Sequence, residues 1–88
     1  MFTDNEKANL NAANIALQRG ELSKARAYLA KAGDTPEAVY AAGLVEAKEM
    51  NNEKALELFE KAASRGLKQA ADAFAQLKEV MEYNERNK

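Results

Sequence analysis

Any chemistry done by this chain must come from carboxylates, lysines, arginines, hydroxyls and amides, because its 88 residues include neither histidine nor cysteine. That removes the common triads, thiol nucleophiles, thiolate and imidazole metal ligation, and any disulfide framework. Paired carboxylates are the remaining acid–base option, and Glu46, Glu49 and Glu53 stand at helical spacing or beside a turn. With 14 acidic residues in so short a chain, such groupings arise by chance, and these three read as a solvated face. We therefore expect no catalytic residue, no cofactor and no metal ligand, in a protein that is not an enzyme.

The basic residues give no stronger signal. Thirteen of them are interspersed with the 14 acids for a net charge of -1, and the densest local group is Lys24, Arg26 and Lys31. A nucleic-acid surface needs a basic stripe, so no nucleic-acid partner is expected. Glu57 with Lys61, and Glu82 with Arg86, read as helix supports at i,i+4. The amides are more suggestive: Asn5, Asn9, Asn11 and Asn14 crowd one segment, although asparagine competes with helical hydrogen bonds. Contacts beyond the helix would offset that cost.

The elements that must position these residues are helices. Nineteen alanines stand against three Phe, three Tyr and no Trp, which favours closely approaching helices over a thick core of rings. The chain is long enough for one domain, residues 1–88. Thr3 and Glu6 fit a capping box that starts a first helix over about Asp4–Gln18, which Gly20 ends. Leu10, Ala13, Ile15, Ala16 and Leu17 are its apolar stripe. A second helix over about Leu22–Ala32 carries Leu22, Ala25, Tyr28, Leu29 and Ala32 and ends at Gly33; Thr35-Pro36 then gives an N-cap with proline at the first helical position. The third is expected over about Pro36–Met50. A fourth, capped by Asn51, runs to about Arg65 and closes at Gly66, with Ala55, Leu56, Phe59, Ala62 and Ala63 inward. The last, over about Lys68–Glu85, turns Ala71, Phe74, Ala75, Leu77 and Met81 inward and frays in its polar end. No segment approaches the roughly 18 apolar residues of a membrane span, so no membrane insertion is expected.

An internal repeat organises the helices. The second and fourth match at a shift of 30: Lys24-Ala25 recurs as Lys54-Ala55, Leu29 as Phe59, and Lys31-Ala32 as Lys61-Ala62. At the same shift Ala8 pairs with Ala38, Ala12 with Ala42, and Ala13 with Gly43. On these residues the chain resembles the tetratricopeptide repeat family: Ala13, Gly20, Ala25, Leu29 and Ala32 in one unit, Gly43, Met50, Ala55, Phe59 and Ala62 in the next. Leu58–Gly66 is also similar to Sel1-like repeats. Departures from the family pattern are Asn9 and Val39 where an early aromatic is usual, and Met50 at the turn glycine.

The resemblance implies an all-α fold, an α-α superhelix of helical hairpins, with unit one over about 4–32, unit two over about 36–65 and a capping helix over about 68–85. It also implies a concave groove lined by the first helix of each unit, at Leu10, Asn14, Leu17 and Gln18, then Tyr40, Leu44 and Lys48, where Asn14 would hold a peptide backbone or carboxylate. Asn14 also reads as an exposed or capping polar residue, and Tyr40 and Leu44, at helical spacing, read as core positions before recognition surface. Leu10 and Glu37 replace the family's clamping basic residues, which argues against capture of a terminal carboxylate. The expected function is a non-catalytic interaction module for a peptide or protein, as a monomer or weak homodimer. The alternative is a structural or assembly tail of a larger bacterial, cell-envelope protein, self-associating or packing on another domain. A complete chain would be cytoplasmic, and one cut from a longer exported protein periplasmic or in the envelope.

Overall fold

The computed structural model describes residues 4–87, with side chains from Asn5 onward. Among them the chain is all-helical: α1 (Asp4–Gln18), α2 (Leu22–Leu29), α3 (Pro36–Lys48), α4 (Asn52–Ser64) and α5 (Lys68–Arg86), with no strand. Thr3, the expected first cap, lies outside the described residues. Successive helices pack on each other, and α1 also touches α3, so the chain forms an elongated stack of 45 × 27 × 15 Å.

Three of the four connections use one device. After α1, α3 and α4 the chain turns through a residue at positive φ, namely Gly20 (73°), Met50 (67°) and Gly66 (101°). The next N–H then bonds back to the carbonyl five residues earlier: Glu21 to Ala16 (2.9 Å), Asn51 to Glu46 (2.8 Å) and Leu67 to Ala62 (3.2 Å). This is the Schellman closure, which satisfies carbonyls that a helix end leaves unpaired. Glycine enters the left-handed region without steric cost, whereas Met50 enters it with a Cβ.

The connection from α2 to α3 is longer, because α2 ends at Leu29 rather than near Ala32. Thr35 caps α3 as expected, its hydroxyl accepting from the Ala38 N–H at 3.2 Å with Pro36 at the first helical position. Arg65 clasps this loop from the end of α4, donating to the Asp34 carbonyl at 2.8 Å. Asn9 reaches toward it from α1, donating to the Lys31 carbonyl at 3.5 Å and to the Asn5 carbonyl at 2.9 Å.

The core is built on small residues. Ala13, Ala25, Ala32, Ala55, Ala62 and Ala70 are fully buried, and one cluster joins Leu10, Ala16, Leu17, Ala25, Ala38, Ala41 and Val45 across the first three helices. A second joins Val39, Ala62 and Ala70, flanked by Tyr40, Leu58 and Leu67. Two expected inward residues, Ile15 and Tyr28, are exposed. On α5 Phe74, Leu77 and Met81 are half-buried as expected, but Ala70 is buried and Ala73 half-buried where Ala71 and Ala75 were expected, and these two face solvent; the helix ends at Arg86, one residue beyond the expected Glu85. Alanines on adjacent faces cannot fix which one packs, and contact with α4 decides it.

Candidate functional site

α1 and α3 lie side by side, and each brings residues at helical spacing to their shared outer surface. Asn14, Leu17 and Gln18 from α1 and Leu44 and Lys48 from α3 line one shallow depression of about 380 Å³. Leu17 is buried and Leu44 half-buried, giving an apolar floor, while Asn14, Gln18 and Lys48 are exposed around it. Two amides offer both donors and acceptors, the pairing an extended backbone needs, and the ammonium adds one positive charge.

Five of the seven residues that the sequence points to therefore meet in one place. Leu10 does not join them, being buried in the first core cluster. Tyr40 turns toward α4, with its ring centroid 5.7 Å from that of Phe59. Its edge belongs to packing rather than to the depression. A larger depression of about 570 Å³, at the α3–α4 turn and Met81, is lined chiefly by turn and first-turn residues of mixed charge and converges on no set of like groups.

Behind the depression, α3 is held to α2 by a polar network that the sequence alone did not reveal. Glu46, expected on a solvated face, is only 4% exposed. Its Oε2 accepts from Arg26 Nη1 at 2.9 Å, and its Oε1 accepts from Asn51 Nδ2 at 2.9 Å. Arg26 also pairs with Glu49, so both guanidinium arms are used. The Asn51 amide and then the Arg26 guanidinium stabilise the charged carboxylate against the cost of burial, holding the Glu46 pKa below its ordinary value. Asn51 precedes α4 but does not make the side-chain cap bond expected of it; its Nδ2 donates back to Glu46 instead. The signal that could have found this network was the five-residue spacing of Glu46 and Asn51, since the Schellman turn between α3 and α4 carries residue 51 back over residue 46.

Arg26, although half-exposed, therefore has both guanidinium arms engaged by Glu46 and Glu49, unlike Lys31 in the group Lys24, Arg26 and Lys31. The described ion pairs are Lys24 with Glu21, Arg26 with Glu46 and Glu49, and Arg65 with Asp34; the expected Glu57–Lys61 and Glu82–Arg86 pairs do not form. Among the described residues no acidic cluster is arranged to hold a metal, and no helix is long and apolar enough to cross a membrane. Compared with family models, curated proteins and solved structures, the chain matches none.

Proposed function

We propose that this chain is a non-catalytic interaction module built from two tetratricopeptide-like hairpins, which binds an extended peptide or protein segment across α1 and α3. The observation that carries this reading is the convergence of Asn14, Leu17, Gln18, Leu44 and Lys48 on one depression. Leu17 and Leu44 would take an apolar side chain of the partner. Asn14 and Gln18 would pair with its backbone, and Lys48 would favour an acidic residue beside the apolar one. A surface preformed by packed helices avoids part of the ordering cost of binding. That advantage matters for so small a contact.

The test is selection of binders from a random peptide library displayed against the whole domain, followed by titration of the selected peptides against variants. Asn14→Ala and Lys48→Ala should each weaken binding about tenfold while leaving the melting temperature within a few degrees, because both side chains are exposed. Tyr40→Ala should instead lower the melting temperature through lost packing on Phe59. Peptides whose affinity ignores both Asn14 and Lys48 would refute the groove.

A further inference from the structure

We infer that copies of this chain stack head to tail, the α1–α2 flank of one copy seated on the α5 flank of the next. The distribution of exposed apolar side chains motivates it. Among the described residues five large ones are exposed: Ile15 (50%), Tyr28 (38%), Met50 (77%), Val80 (51%) and Tyr83 (59%). Met50 sits in a turn; the other four form two pairs, one at each end of the stack.

At the head, Ile15 of α1 and Tyr28 of α2 line a depression of about 310 Å³ together with Ala12, Ala16, Arg19 and Lys24. At the tail, Val80 and Tyr83 of α5 line one of about 450 Å³ with Gln76 and Glu79. Each end thus offers one aliphatic and one tyrosine side chain beside a recess that the other pair can enter. Exposed apolar patches of this kind mark association surfaces.

Charge selects the second copy's opposite end as the occupant. The head depression has Arg19 and Lys24 against Glu21, which already pairs with Lys24 at 3.4 Å. The tail has Glu79, and the last two turns of α5 add Glu82 and Glu85 against a single Arg86. Arg19 and Glu79 make no ion pair within the described chain. Head on head would set Arg19 and Lys24 against their own copies, and tail on tail would oppose Glu79 to itself, whereas head on tail matches opposite signs. Such a contact is heterologous, so growth does not stop at two copies. With only two large apolar side chains at each end the contact is small, which makes the association weak and concentration-dependent.

Sedimentation of the whole chain from about 10 μM to about 1 mM tests this. The weight-average mass should climb past that of a dimer without a plateau, and added salt should suppress it. Arg19→Glu alone and Glu79→Arg alone should each weaken association about tenfold or more. An equimolar mixture of the two should restore it, since each charge-reversed end then finds its complement. Helix content and melting temperature serve as controls, both residues being exposed. A mass fixed at the monomer throughout, a plateau at the dimer that ignores Arg19→Glu, or a mixture that stays dissociated would each overturn the inference.

Discussion

Where α3 crosses α4, the backbone of Gly43 lies against the ring of Phe59 so closely that an added Cβ would sit 2.6 Å from its Cε1. Thirty positions earlier, in the α1–α2 hairpin, Ala13 and Leu29 stand in the same two places. One hairpin pairs a methyl group with an aliphatic side chain; the other gives up the methyl to admit an aromatic ring. Close-packed interiors respond to total volume more than to the identity of each residue. Two like hairpins can thus be built with different chemistry, provided that the exchange is reciprocal. The two positions also differ in burial: Phe59 is 2% exposed with its ring tilted against that of Tyr40, while Leu29 is only half-buried. At this pair of positions the second hairpin is the better filled.

The sharpest way to break that contrast is Phe59→Ala, which should cost about 3–5 kcal/mol by urea denaturation, against about 2 kcal/mol for Leu29→Ala at its less buried counterpart. Equal losses at the two positions would show the halves to be equally packed. Gly43→Ala comes next, with a net cost of about 1–2 kcal/mol, because overpacking against the buried ring exceeds what alanine gains over glycine in a helix. The same substitution in a Phe59→Leu background, which recreates the pairing of the first hairpin, should be neutral or stabilising.

Glu46 has no counterpart in the first hairpin, where Ala16 holds its place. Glu46→Gln should cost about 1–2 kcal/mol at neutral pH, as it weakens the bond to Arg26 while leaving an acceptor for Asn51. The native pKa of Glu46 is lowered, so its contribution is complete above the ordinary glutamate value of about 4.3 and is lost as pH falls below that, through the folded-state value. Urea midpoints measured across pH should therefore show a smaller acid-side loss for Glu46→Gln than for the unaltered chain. The smallest effect is expected at the turn: Met50→Gly should raise stability by about 0.5–1 kcal/mol, since it places glycine at the positive φ that Gly20 already occupies in the first hairpin.

Much of the architecture was legible because its signals are local. Gly20, Gly66 and the Thr35-Pro36 pair mark helix ends through backbone geometry that few other residues accept, whereas Gly33 lies in the loop four residues past the end of α2, and the recurrence at thirty positions tied two helix pairs together. Helix boundaries near Ala32 and Met50 were placed two or three residues too far, since alanine and glutamate allow a helix to continue where tertiary packing ends it. Of the candidate groove, Asn14, Leu17, Gln18, Leu44 and Lys48 were reachable by position, but Leu10 and Tyr40 were not separable from core residues by spacing alone.

What the residues determined unaided was helix, turn and repeat, because hydrogen bonding, left-handed backbone and small-residue spacing act within a few positions. Which alanines of a helix are covered was settled only by the neighbour it meets: on α5 Ala70 and Ala73 are covered in place of Ala71 and Ala75, at no cost in local propensity. The same holds for Glu46, a residue that is solvated on an isolated helix and buried once Arg26 and Asn51 close over it. Burial and charge pairing belong to the assembled stack, and no segment of the chain carries them by itself.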